Sequence, residues 1–153
     1  MIYKEPLIIK GRKWHRFLSD GYSIAYAGDI SNKELIKILK KIKNINEINN
    51  VYIKKIFKNI NGKFAFIIFN KNFIFAAVDR IKSIPIFIGS NAKNIQLSNH
   101  ASPLAKSLNL NSINHEACLS IAMSGYTTGK ETIVNSLYQI MAGEVFICKS
   151  NKK

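Results

Sequence analysis

The side chains that could do covalent or metal chemistry are few. The chain carries two cysteines, three histidines and nine carboxylates among 153 residues. A cysteine nucleophile needs a neighbouring base or another device that lowers its pKa. Cys118 falls in a stretch with helical spacing and Cys148 in the last apolar run. Each reads as a small core hydrophobe. They have no paired spacing, so neither a disulfide framework nor a zinc site is indicated, and a reducing cytoplasmic location is expected. His15, His100 and His115 have no metal-ligand spacing with one another or with the cysteines. No metal and no cofactor is expected on these grounds. The segment 125–132 (GYTTGKET) is one residue short of a phosphate-binding loop, and Glu131 stands where its Ser or Thr should be. A negative side chain there would repel phosphate. Trp14, His15 and Arg16 could form a small binding patch, although a lone tryptophan is more often a core residue.

The most ordered signal is 75–87, FAAVDRIKSIPIF, which follows GKFAF at 62–66. An apolar hairpin ends in Asp79-Arg80, and a second apolar strand opens around Pro85. An Asp-Arg pair closing a buried hairpin can satisfy turn amides and strand ends, which is a structural role.

The elements that must hold these residues follow from periodicity. Residues 5–10 form a short strand. SDG at 19–21 is a turn, and 22–28 (YSIAYAG) is rich in strand formers. Ser31 and Glu34 have capping-box spacing, and Leu35, Ile38, Leu39 and Ile42 follow at i, i+3, i+4, i+7, which predicts an amphipathic helix. Ile53, Ile56, Phe57 and Ile60 repeat that spacing and predict a second helix over 49–59. The runs 63–69 and 73–78 flank the polar turn Asn70-Lys71-Asn72, which favours a buried hairpin. Residues 84–88 and 95–98 form another pair around a turn at 89–94. Ser102 reads as an N-cap with Pro103 at the first helical position, and another helix is expected over 114–123. Gly143 introduces a last strand, 144–148. Clustered strands and helices of this kind indicate a single α+β layered domain spanning 1–153.

Hydrophobic residues make up 47% and charged residues 21%, enough for a sizeable core. No apolar run is long enough for a membrane helix and the start lacks the apolar core of a signal peptide. The net charge of +14 suits an anionic partner. The lysines are spread from Lys4 to Lys153, alongside abundant Ile and Asn, as AT-rich codon usage would produce. A nucleic-acid-binding module would need clustered Lys/Arg with exposed aromatics, so that partner is not favoured.

The segments 61–66 and 75–87 resemble the amidotransferase domain at the front of asparagine synthetases, where a similar hairpin runs into Asp-Arg…Pro-Leu-Tyr. The resemblance covers about 24–148, and 132–146 with Ala142-Gly143-Glu144 is similar to the turn that closes these domains. It implies an Ntn-hydrolase-like αββα sandwich of two mainly antiparallel sheets between helix layers. Asp79, Arg80 and Pro85 match the family pattern, while Lys82 replaces a common Gly. The family hydrolyses glutamine with an N-terminal cysteine whose own amino group is the base. This chain opens Met1-Ile2-Tyr3. The oxyanion segment Asn-Gly-Glu-Ile-Tyr-Asn is matched by Ala27-Gly28-Asp29-Ile30-Ser31-Asn32. Gly28 and Asn32 correspond, Asp29 stands for the Glu, and Ala27 replaces the hole-forming Asn. The Asp that holds the substrate ammonium has its counterpart in Asn49 or Asn50, neither of them charged.

The resemblance therefore implies a degenerate member, not catalytic alone. β-Lactam synthetase and lasso-peptide cyclases retain such a domain as a scaffold beside an ATP-dependent amide-forming domain. No Ser-Gly-Gly-x-Asp-Ser adenylation loop is found here, so no synthetase domain is expected within the chain. The expected partner is a synthetase domain or subunit, with a homo-oligomer also open, and no membrane. The rivals are an active amidotransferase with an unrecognised nucleophile and the basic nucleic-acid module.

Overall fold

The structure is a computed structural model and describes residues 7–11, 13–43, 53, 56, 57 and 60–149. In chain order its elements are β1 (Leu7–Ile8), β2 (His15–Ser19), β3 (Tyr22–Gly28), α1 (Asn32–Lys43), β4 (Phe64–Asn70) and β5 (Phe73–Val78). Then come β6 (Phe87–Ser90), β7 (Ile95–Ser98), α2 (Ala101–Leu108), α3 (His115–Ser124), β8 (Leu137–Gln139) and β9 (Val145–Lys149). A five-stranded sheet runs β2-β3-β4-β5-β9, antiparallel throughout. A four-stranded sheet runs β1-β7-β6-β8, antiparallel except for the parallel β1–β7 pair.

Alternation along β4 and β5 builds the layers, because successive side chains leave a strand on opposite faces. Phe64, Phe66, Ile68, Phe75 and Ala77 pack against Leu35, Ile38, Leu39 and Ile42 of α1 and against Ile56. Ala65, Ile67, Ile74, Ala76 and Val78 face the other way, onto Leu7, Ile86, Leu97 and Ile140 of the second sheet's layer. Beyond that sheet, Leu104 and Leu108 of α2 close on Leu137 and Phe87. Gly89 of β6 lets α2 lie close, since a Cβ there would stand 2.6 Å from the Leu108 Cδ1. The order helix, sheet, sheet, helix is the expected αββα sandwich.

α1 begins as its capping box requires. The Ser31 amide donates to Glu34 Oε2 (2.9 Å) and the Glu34 amide to Ser31 Oγ (3.3 Å). Of the predicted second helix, Ile53, Ile56 and Phe57 are helical, and the remainder up to Asn59 lies outside the described residues. Two strands were not anticipated. β2 lies at the edge of its sheet with most side chains exposed or half-buried, so its sequence HRFLS carries no clean alternation. β8 is only three residues long. The helix expected to start at Ser102 instead has His100 as its N-cap, without a side-chain cap bond. Pro103 still falls in the first turn, where a missing N–H costs nothing. The strand expected from Ile84 begins only at Phe87, after Pro85, which has no N–H to give to a ladder. No described helix is long and apolar enough to cross a membrane.

Candidate functional site

The register Gly28↔Phe64, Ala65↔Val78 and Ala77↔Val145 brings the ends of β3, β4, β5 and β9 to one end of the five-stranded sheet. The sequence-matched positions gather there. Gly28 has φ +93°, and a Cβ on it would collide with the Lys63 carbonyl, so only glycine fits. That close approach lets the Asp29 amide donate to the Lys63 carbonyl (2.7 Å) while Asp29 Oδ2 accepts from the Lys63 amide (3.0 Å). The β3–α1 turn and the turn entering β4 are thus clamped together.

Asp79, at the end of β5, is 2% exposed. Its Oδ2 accepts from the amides of Phe64 (3.1 Å) and Ser83 (3.1 Å), and its Oδ1 from the amide of Ile81 (2.9 Å) and the Ser83 hydroxyl (3.3 Å). Its backbone N–H donates to the Phe64 carbonyl (3.0 Å), and its carbonyl accepts from Lys82 (3.0 Å) and Gly143 (2.8 Å). Burial pushes the carboxyl pKa up, but the amides of Ile81, Phe64 and Ser83 outweigh it and hold it below the ordinary carboxylate value. One residue therefore joins β4, β5 and the following turn through its carboxylate, and the Ala142-Gly143-Glu144 turn through its backbone carbonyl. The Asp-Arg pair expected to close the hairpin does so through the aspartate alone, since Arg80 is exposed.

Lys82 adopts φ +52°, in the left-handed region that favours glycine, and its Nζ donates to Gln139 Oε1 (2.7 Å). A lysine thus holds a conformation that glycine adopts more readily. Pro85 is exposed between half-buried Ile84 and buried Ile86, a rigid lead into β6.

Ala27 is 1% exposed, lies opposite Ala65, and presents a methyl group with no donor. Asn32 is the exposed first residue of α1. Glu34, whose carboxylate accepts the Ser31 amide and hydroxyl, has a lowered pKa for that reason. Asn49 and Asn50 lie outside the described residues.

The cysteines are half-buried and sit elsewhere. Cys148 pairs opposite Ile74, at the far end of β5 from Val78, about 14 Å along the strand. Cys118 is on α3. His15 is exposed on β2 with its ring 5.3 Å from Tyr26, and half-buried Trp14 packs into the core between the sheets. The loop after α3 does not form a phosphate site. It leads from a helix into a strand, the reverse of the strand-to-helix order such a loop needs, and Glu116 and Glu131 both line the hollow beside it.

Against the strand ends lies a cleft of about 780 Å³, which sequence reasoning did not find. Phe64, Val78 and Val145 come from the ends of β4, β5 and β9, Ile53 and Phe57 from the helical segment, and Lys63 and Arg80 add cationic side chains. The GKF entry into β4 and the residue after Asp79 were its only signals in the sequence.

Residues 19–153 match the family model described as a glutamine amidotransferase domain. No curated protein matches. Among solved structures, the chain is similar to glutamine phosphoribosylpyrophosphate (PRPP) amidotransferase from B. subtilis, complexed with ADP and GMP, at 17% identity and a TM-score of 0.36. The match covers 89% of this chain and 30% of that one, so the chain spans under a third of that enzyme's length.

Proposed function

This chain belongs to the glutamine amidotransferase domain family, and from that premise we propose that it is a catalytically silent member. Its relatives in this reading are the asparagine synthetases, and it serves as a scaffold for an ATP-dependent amide-forming ligase. The observation that carries the proposal is Ala27. Hydrolysis of glutamine develops negative charge on the amide oxygen, and a preorganised donor there is worth about 3–4 kcal/mol of transition-state stabilisation. A buried methyl group supplies none. The nucleophile is the second gap, because Cys148 stands at the wrong end of its sheet and Cys118 on a helix outside the site.

The residues that remain are those that build the domain. Gly28, Asp29, Asp79 and Gly143 hold four strand ends together with main-chain and carboxylate hydrogen bonds. A scaffold needs that framework and does not need the oxyanion donor. The exposed lysines of α1, Lys33, Lys37, Lys40 and Lys41, leave a basic face for an acidic surface on the ligase.

The test is ammonia release from glutamine by the purified chain, alone and with a candidate adenylating ligase. Release at buffer background, together with ligase turnover on free ammonia that improves when the chain is added, is the expected result. Glutamine turnover that disappears on Cys118→Ala or Cys148→Ala would overturn the silent reading.

A further inference from the structure

We propose that the cleft at the strand ends binds an aliphatic carboxylate, an apolar chain ending in a single anionic head. This inference does not depend on whether the domain hydrolyses glutamine. The cleft, about 780 Å³, falls within the ~300–1,000 Å³ range of small-molecule sites. Its walls are Ile53, Phe57, Ile60, Phe64, Val78 and Val145, side chains that would favour an apolar body over water.

Among the described residues, the exposed charged side chains in the lining are both cationic. Lys63 and Arg80 line the cleft and both are exposed; among the described residues neither forms a salt bridge. The one carboxylate in the lining among the described residues is Asp79, whose oxygens are already engaged. It is buried, and its oxygens are taken up by the Phe64, Ile81 and Ser83 amides and the Ser83 hydroxyl. The neighbouring Asp29 is exposed and lies outside the lining, with its Oδ2 accepting from the Lys63 amide. An apolar hollow with two exposed cations, neither in a salt bridge among the described residues, favours an amphipathic anion. The planar fork of Arg80 matches a carboxylate with two parallel hydrogen bonds, and Lys63 adds a point charge. A cationic ligand would meet like charge, and a neutral one would leave both cations without a partner.

The probe is decanoate, titrated into the full chain by calorimetry and by thermal shift, with decanol and decylammonium as neutral and cationic counterparts. Decanoate should bind with Kd on the order of 100 µM, in the range for a ligand of its size, and raise Tm. Decanol should bind roughly tenfold more weakly, the loss of one charge-assisted pair, and decylammonium more weakly still. Arg80→Gln, an exposed change that leaves the core untouched, should weaken decanoate about tenfold and leave decanol unchanged. Ile81→Glu, at a residue 74% exposed in the cleft lining, should weaken decanoate and spare decylammonium. Three results would overturn the proposal: no decanoate binding at millimolar concentration, equal affinity for decanoate and decanol, or decanoate binding unchanged in both variants. The first would mean that the cleft takes no such ligand, and the other two that its cations do not read the head group.

Discussion

Two regions of the molecule treat their apolar and polar groups in opposite ways. At the end of the five-stranded sheet, one carboxylate is 2% exposed and is surrounded by amides from three different residues. On α3 the reverse holds. Only Ala117 is buried, while Leu119 is 60% and Met123 80% exposed. α3 is well made as a helix, since the Asn114 side chain accepts from the Ala117 amide and Gly125 caps the end at φ +82°. Its local signals are complete, yet its tertiary packing is slight. The sheet end is held instead by bonds between residues far apart in sequence, such as the Asp79 carboxylate on the Phe64 amide. Capping and periodicity decide whether an element forms; they do not decide how much of the fold rests on it.

The comparison breaks first at the sheet end if it is wrong. Asp79→Ala strips the partner from buried amides and should cost about 3 kcal/mol, or some 6–12 °C of Tm. Gly28→Ala should do at least as much damage. A side chain at φ +93° is strained by roughly 1–3 kcal/mol, and the collision with the Lys63 carbonyl adds to it. Variants that melt like the parent by calorimetry would show that the fold does not rest on the bonds at the sheet end.

Acid should act at the same place. Asp79 has a depressed pKa in the folded state, so the folded protein binds its proton less readily than the unfolded chain does. The stability it contributes is present in full above the unfolded carboxylate pKa, about 4, and is lost as pH falls through the lower folded value. In thermal melts between about pH 7 and pH 2, the parent should lose Tm more steeply at the acid end than Asp79→Asn. Parallel curves would assign the acid sensitivity to other groups.

A smaller effect sharpens the picture of the turn itself. Lys82 pays for a left-handed conformation with about 1–2 kcal/mol of strain, partly offset by its bond to Gln139. Lys82→Gly should therefore stabilise by about 0.5 kcal/mol, a small rise in Tm. A fall would mean that the Gln139 bond outweighs the strain.

The smallest effects belong to the other region. Leu119→Ala and Met123→Ala on α3 should each stay within about 0.5 kcal/mol of the parent in urea unfolding. Leu35→Ala on α1, where the side chain is fully buried, should cost about 2–5 kcal/mol. A large loss at Leu119 would contradict the exposed placement of α3.

The sequence by itself determined the elements whose signal is local. Ser31 and Glu34 with the stripe Leu35, Ile38, Leu39 and Ile42 specify α1, because cap and face are set by residues three or four apart. The runs on either side of Asn70-Lys71-Asn72 specify the β4–β5 hairpin, and the Asp79–Pro85 segment led to the family and its layered sandwich. β2 and β8 escaped because an exposed edge strand and a three-residue strand carry no period. The candidate site was legible only as residue matches. Tertiary structure decided that Asp79 would accept the Phe64 amide 15 positions earlier, that Gly28 would meet Lys63, and that Lys63 and Arg80 would share one cleft. Those contacts depend on the register of four strands and on how their ends stack. Register is a property of the whole sheet, which a local spacing cannot encode.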